Sequence, residues 1–262
     1  MKRLITIIIF LLLICKLYAT GQIKDILLLN GDTCELYESP LEQVKNISEK
    51  IRKITGDDQR IHNTGCWRGF KAKWIVKDSV LYLLGVKQCN SGKVINNVIE
   101  QVLGKKFHKG LMKADWVNGY FWCGKDFAPY FVIGTTIYRH EYRLNITNGI
   151  ISEIKESPYF PCEYSDHEKI RKFIFSKIDW STFPDIKNKK IELSAYVNAN
   201  KTGEITNVKI ENKSGLDIDN EFINIIKQLP CFPVYYYQGE FWDWGETIFI
   251  TINKQNKLKY AR

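Results

Sequence analysis

The sequence lacks the short motifs that mark most common enzyme classes. It contains no G-x-S-x-G, no P-loop and no dinucleotide-binding fingerprint. No C-x-x-C is present, which argues against a thioredoxin-like or zinc-ribbon protein. The four histidines, His62, His108, His140 and His167, do not have the spacing of H-E-x-x-H or a comparable metal site. The sequence therefore predicts no catalytic residue, no metal site and no cofactor.

A concentrated basic region is also missing. The formal net charge is +9, but the lysines are spread among acidic residues and form no basic stripe. Proteins that bind nucleic acid usually cluster their Lys and Arg on one face. We therefore expect no nucleic-acid partner, and we attribute the charge to solubility, with an unspecific attraction to acidic surfaces.

No apolar run is long enough to cross a membrane comfortably, which takes roughly 20 residues. The longest run, residues 4–15, follows a Lys-Arg pair and precedes the small residues around Ala19. This layout predicts a secretory signal peptide over residues 1–19, cleaved after Ala19. We therefore expect a periplasmic or secreted protein. The alternative is an uncleaved inner-membrane anchor formed by residues 4–15.

Export changes what the cysteines can do. Disulfides form and persist in oxidising compartments, and an even number of cysteines remains after the signal peptide. The alternative is that several are buried free thiols, which pack as small apolar residues. The sequence leaves the pairing open among Cys34, Cys66, Cys89, Cys123, Cys162 and Cys231.

Residues 23–160 predict a β-rich domain with one or two helices. Alternating apolar and polar residues on both sides of Asp78-Ser79 predict a hairpin, and Asn148-Gly149 predicts another. Segments 39–56 and 94–103 have the apolar spacing of helices. The stretch GCWRGFKAKWIVKDSVLYLLGV, with KADWVNG, resembles an uncharacterised bacterial β-rich module over about residues 23–154. This resemblance implies a fold and no established chemistry.

Residues 165–255 predict a second domain, separated from the first by a proline-containing linker near Pro161. Ser165 and Glu168 have the spacing of a helix capping box, and a second amphipathic helix ends at Leu229. Alternating residues predict three strands. We expect two helices on a three-stranded antiparallel sheet here, which makes the whole chain α+β.

The landmarks of this second domain resemble the C-terminal domain of TonB-family energy transducers. Phe183-Pro184 stands where the family has Tyr-Pro, and Gly203 matches its hairpin glycine. The later landmarks are Leu229-Pro230, Pro233 and Gly239. Asn188-Lys189 departs from the family's glycine, and with seven prolines the chain has no Pro-rich linker. The resemblance implies the partner-binding fold of the family without the linker that energy transduction needs, and it implies a link to TonB-dependent transmembrane transport.

The resemblance also implies a binding site on the last strand. In the family this strand pairs with an extended peptide of a receptor, which is β-strand addition. The residues concerned are Thr247, Ile248, Phe249, Ile250, Thr251 and Ile252. We expect a protein partner in the bacterial envelope. The alternative is that the strand is covered by the first domain or by self-association.

A second candidate face consists of Trp67, Arg68, Asp115 and Trp116, because Trp and Arg are enriched at interface hot spots. The alternative is that the tryptophans are core residues and that Asp115 and Arg68 form a structural ion pair. Two other functions stay open for this face. In one the protein is a secreted hydrolase that acts through it, and in the other it is a secreted inhibitor or immunity protein.

Overall fold

The computed structural model describes residues 22–56, 64–132, 135–181, 190–215, 217–243 and 245–260, with no side chains described at 129–135. The predicted signal peptide and its anchor alternative lie outside these residues, as do the landmarks Phe183-Pro184 and Asn188-Lys189. The chain divides into two compact units, Met1–Ser157 and Pro158–Arg262. None of the helices in the described ranges has the length and apolar character that a membrane crossing requires.

Eight strands of the first unit form one mixed sheet in the order β3-β1-β2-β6-β7-β8-β4-β5. Strands β1 and β3 are parallel, whereas their other pairings are antiparallel. Because β3 also pairs with β4, the sheet closes on itself. The strands are β1 Ile26–Leu29, β2 Asp32–Leu36, β3 Phe70–Lys77, β4 Val80–Gln88, β5 Met112–Lys113, β6 Gly119–Val132, β7 Thr135–Thr147 and β8 Ile150–Glu156.

Tight turns determine where these strands reverse. Asn30-Gly31, Asp78-Ser79 and Asn148-Gly149 all have positive φ at both positions. Two consecutive residues of this kind match the right-handed twist of the flanking strands, which favours a two-residue hairpin. The hairpins predicted at Asp78-Ser79 and Asn148-Gly149 are confirmed.

The helices of the first unit are shorter than the sequence predicts. A one-turn 3-10 helix spans Pro40–Gln43, and helix α1 begins only at Ile47, after Asn46 adopts a left-handed conformation with φ 58°. Ser39 caps neither segment, because its hydroxyl donates to buried Asp25 instead. The helices are α1 Ile47–Thr55 and α2 Asn96–Leu103, and the apolar core includes Leu27, Trp74, Leu83, Ile99 and Phe121.

The second unit contains a three-stranded antiparallel sheet in the order β10-β9-β13 and a separate two-stranded hairpin. Its apolar core includes Ile170, Ile174, Val197, Phe222 and Ile250. The strands are β9 Ile191–Ala199, β10 Ile205–Asn212, β11 Tyr235–Tyr237, β12 Glu240–Trp242 and β13 Glu246–Ile252. The helices are α3 His167–Lys177, α4 Ile218–Ile226 and α5 Lys254–Tyr260.

The predicted α+β fold class is wrong. The described residues contain 13 strands and five α-helices, and eight of these strands belong to the single mixed sheet. The second unit also departs from the predicted two helices and three strands, because it adds the hairpin β11–β12 and helix α5. The hairpin forms because Gln238 and Gly239 both adopt positive φ between aromatic strands, whereas the sequence offered Gly239 only as a landmark of the resemblance.

Candidate functional site

Strand β13 lies at one edge of the three-stranded sheet. It pairs with β9 along its whole length, from Glu246 opposite Val197 to Ile252 opposite Ile191, without a shift in register. No other described strand pairs with its second side. The six residues that the sequence assigned to partner binding therefore lie together on one edge strand.

The two faces of β13 differ in character, because successive side chains of a strand point in opposite directions. Ile248, Ile250 and Ile252 are buried in the core of the second unit. Thr247 and Phe249 point to the other face, where Phe249 is 65% exposed. A large exposed apolar side chain therefore stands in the middle of the edge strand.

Two hydrogen bonds indicate the direction of the backbone groups of β13. The carbonyl of Thr251 accepts a hydrogen bond of 2.6 Å from Nδ2 of Asn256. Glu192 lies opposite Thr251 on β9, and its carbonyl accepts a hydrogen bond of 3.0 Å from Nδ2 of Asn212 on β10. Both bonds place the backbone groups of Thr251 on the side away from β9. Because this direction repeats at every second residue of an antiparallel strand, the backbone groups of Phe249 also point outward.

The opposite edge of the sheet has the protection that edge strands usually carry. Strand β10 contains two shifts in register, between Ile205 and Asn207 and between Ile210 and Asn212, and it carries Lys209. Bulges and lysines of this kind discourage pairing with another chain. Strand β13 has no bulge, lysine or proline. The two edges of one small sheet are thus built differently.

A buried glutamate and a half-buried histidine lie side by side where β13 begins. Nε2 of His167, the first residue of α3, is 2.9 Å from Oε1 of Glu246, which is buried. Burial raises the pKa of Glu246 to about 8 and lowers the pKa of His167. At neutral pH the glutamate therefore holds its proton and the imidazole is uncharged, and neither carboxyl oxygen of Glu246 has a hydrogen-bond partner among the described residues.

The raised pKa of Glu246 predicts a loss of stability at alkaline pH. Below pH 4.5 the group is protonated in both states, and its folded form holds the proton up to about pH 8. The stability linked to that proton falls continuously as the pH rises from 4.5 through about 8, and about 1 kcal/mol of this loss falls between pH 7 and 9. His167 does not contribute there, because its lowered pKa leaves it neutral. Urea unfolding at several pH values measures the effect.

Glu246→Gln is expected to remove this pH dependence, because glutamine does not titrate. The matched control is Glu240→Gln, which changes an exposed glutamate of the same unit. Stability that falls equally in wild type and Glu246→Gln between pH 7 and 9 would contradict the assignment to Glu246.

Arg68, from the predicted aromatic and charged face, is buried. Its guanidinium lies 2.8 Å from Oδ1 of Asp25 and donates to the carbonyl oxygens of Ile23 and Phe70, at 2.6 and 2.9 Å. The predicted ion pair between Arg68 and Asp115 is therefore not formed. The correct partner, Asp25, lies 43 residues earlier in the chain, and no local pattern points to it.

The other three residues of that face have separate partners. Asp115 pairs with Lys105 at the surface. Trp116 is half-buried against Trp74, with ring centroids 6.4 Å apart. Trp67 is 49% exposed. The structure therefore does not assemble Trp67, Arg68, Asp115 and Trp116 into one exposed surface.

A polar cluster around Lys24 was not predicted from the sequence. Its Nζ donates to the hydroxyl of Tyr138 at 3.2 Å and lies 4.3 Å from the ring centroid of Tyr37. The two tyrosine hydroxyls donate to Glu35 and to buried Glu141. Burial lowers the pKa of Lys24 and raises that of Tyr138. The three hydrogen bonds join side chains 103 to 114 residues apart and stabilise the fold as a network, and no sequence signal marks them.

Of the six cysteines considered above, four form disulfides and two are buried free thiols. Cys66 is bonded to Cys89, and Cys162 to Cys231, with Cα atoms 6.5 and 5.9 Å apart. Cys34 and Cys123 are buried free thiols, and their mutual hydrogen bond together with burial raises the pKa of Cys123. Two disulfides are compatible with an exported protein in an oxidising compartment.

Comparison with known proteins gives no relative: no family model matches the chain, and neither a curated protein nor a solved structure matches it. The resemblance to the TonB family therefore stays a prediction. The function has to be argued from the geometry of the chain itself.

Proposed function

We propose that this is a non-enzymatic protein of the bacterial envelope that binds an extended segment of a partner protein at strand β13. The observation that carries the proposal is the regular edge of β13, where Asn256 binds the outward carbonyl of Thr251 and no other described strand pairs with residues 246–252 on that side. Seven residues, Glu246–Ile252, pair regularly on one side only among the described strands, while β10 at the other edge has bulges and a lysine. An edge strand without bulges, lysines or prolines is a template for strand addition.

The side chains on the exposed face indicate what the partner segment contains. Phe249 is exposed between two threonines, and Thr247 is held by a hydrogen bond of 3.0 Å from its hydroxyl to Glu211 of β10. Aromatic residues pair favourably across strands with other aromatic and β-branched residues. The preferred partner is therefore an extended segment with an aromatic or β-branched residue opposite Phe249.

The envelope assignment rests on two further observations. The N-terminal sequence predicts export, and the two disulfides are compatible with an oxidising compartment. The resemblance to TonB-family docking domains adds the expectation that the partner is an outer-membrane receptor or a similar envelope protein. That class of partner would link the protein to TonB-dependent transport.

Phe249→Pro tests strand addition directly. Proline removes the backbone donor that points away from β9 at this position, and it leaves the hydrogen bonds between β13 and β9 at Ile248 and Ile250. We expect the variant to capture at least tenfold less partner from envelope extracts than wild type does. The measurement is quantitative mass spectrometry of the captured proteins, after thermal unfolding has shown that the variant is folded.

Phe249→Thr is the matched control, because it changes the same side chain and keeps the backbone donor. It is expected to weaken capture only a few-fold. Equal capture by wild type and folded Phe249→Pro would contradict strand addition. Equal losses in both variants would assign binding to the side chain and contradict the backbone mode.

A further inference from the structure

A cavity of about 420 Å³ opens on the outer face of the first unit, where β1, β3 and β4 meet. Small-molecule sites have volumes of about 300 to 1,000 Å³. Alternation along β3 directs Ala72 and Trp74 to the core and turns Lys71 and Lys73 outward, towards the cavity. The cavity is thus separate from strand β13 and independent of the function proposed for it.

Three lysines surround the cavity and no acidic side chain lines it. Lys71 lies directly opposite Lys87 in the register of β3 and β4, and Lys73 follows on the same face. Like charges directly opposite on paired strands are destabilising. None of the three lysines has a carboxylate partner in the described part of the chain, whereas Lys105 and Lys125 each pair with an aspartate. An unbalanced positive cluster of this kind attracts an anion.

The remaining wall of the cavity is apolar except for Asn96. Ile26, Leu84 and Val94 line it, and Val94 is 53% exposed. Leu84 is the extra residue of a β-bulge, because Lys73 pairs with Gly85 while the next residue of β3 pairs with Leu83. Bulges re-aim side chains and are common beside functional sites. The ligand must therefore have an apolar body as well as an anionic group.

Gly85 keeps this part of the cavity open. The side-chain oxygen of Asn96 accepts a hydrogen bond of 2.9 Å from the amide of Val86, which holds the Asn96 amide over Gly85. A Cβ atom at position 85 would lie 3.1 Å from that oxygen. A larger residue would displace the Asn96 amide, which lines the cavity.

We propose that this cavity binds a single-chain anionic amphiphile, with its carboxylate or phosphate between Lys71 and Lys87 and its alkyl chain along Leu84 and Val94. The charge-assisted contacts to the lysines hold the head group, and the apolar wall removes part of the chain from water. The free monomer is the expected form, because the cavity holds one short chain.

Calorimetric titration with sodium decanoate, below its micelle concentration, tests the proposal. Saturable binding to the full chain is expected. The double variant Lys71→Gln/Lys87→Gln should bind at least tenfold more weakly, while its midpoint of thermal unfolding rises because the opposed charges are gone. Lys77→Gln is the matched control, since Lys77 lies exposed on the same strand and outside the cavity. It should bind decanoate as wild type does.

Ligands that differ in chain length and charge separate the contribution of the apolar wall from that of the lysines. Butyrate should bind at least tenfold more weakly than decanoate, and neutral decyl maltoside should not compete with decanoate. Undiminished binding of decanoate to the double variant, or equal binding of decyl maltoside, would overturn the proposal. One other result would keep the site and change the source of its ligand. If the wild type binds vesicles containing phosphatidylglycerol and not decanoate, and the double variant loses vesicle binding, the anionic ligand is a lipid in a bilayer.

Discussion

Replacing Asp25 by alanine is expected to lower the free energy of unfolding of the first unit by about 3 to 5 kcal/mol. Asp25 is 1% exposed and accepts hydrogen bonds from four groups, while its charge balances buried Arg68. The donors are the Arg68 guanidinium, the Ser39 hydroxyl, the Ala72 amide and the Trp74 indole, at 2.8, 2.8, 2.9 and 3.2 Å.

The size of this effect comes from what the substitution leaves behind. Without Asp25, the guanidinium of Arg68 is a buried charge that has lost its ion-pair partner, and the indole N–H of buried Trp74 loses its acceptor. Removing one partner of a buried pair costs far more than the pair contributes on balance. Urea unfolding followed by tryptophan fluorescence measures the loss.

Asp115→Ala is the matched control for Asp25→Ala. Asp115 pairs with Lys105 at the surface, where an ion pair contributes roughly 0 to 1 kcal/mol. A loss of less than 1 kcal/mol for Asp25→Ala, or equal losses for both variants, would contradict the claim that Asp25 stabilises the first unit by balancing buried Arg68.

Breaking the disulfide between Cys162 and Cys231 is expected to destabilise the second unit by about 4 kcal/mol. The two cysteines are 69 residues apart, so the bond removes a large loop entropy from the unfolded chain. The double variant Cys162→Ala/Cys231→Ala, unfolded in urea, measures the effect.

The bond between Cys66 and Cys89 provides the comparison. It spans 23 residues, and its removal is expected to cost the first unit about 3 kcal/mol. Each double variant should weaken its own unit and leave the unfolding of the other unchanged. A second unit whose stability does not change without the Cys162–Cys231 bond would contradict the assignment.

Local features of this fold could be predicted from the sequence, because neighbouring residues determine them. The turn at Asn148-Gly149 needs two residues that tolerate positive φ, and both are visible in the sequence. Helix α1 shows the limit of local patterns. Its apolar spacing is helical from Leu41 onward, but the left-handed conformation of Asn46 delays the start to Ile47.

The fold class was wrong because sheet order depends on distant contacts. Strands β1 and β2 are four and five residues long, and a short strand is a weak signal in a sequence. Their places in the sheet come from the parallel pairing of β1 with β3 and the pairing of β2 with β6. These contacts join segments that lie far apart in the chain.

The candidate site was predictable in part. The alternation of TIFITI shows that residues 247–252 form a strand with one apolar face. Whether that strand lies at an edge depends on the order β10-β9-β13, which alternation does not contain. The cavity lined by the three lysines was also predictable only in part. Lys71 and Lys73 are visible in the sequence, but the opposition of Lys71 and Lys87 depends on the register of β3 and β4.

Amide hydrogen exchange at β13, with and without the captured partner, tests strand addition most directly. In the free protein, Ile248 and Ile250 should exchange slowly, because their amides pair with β9, while the outward amide of Phe249 exchanges fast. Binding should slow exchange at Phe249 by at least tenfold and leave Ile248 and Ile250 unchanged. A partner that binds without protecting the amide of Phe249 would contradict the proposed function.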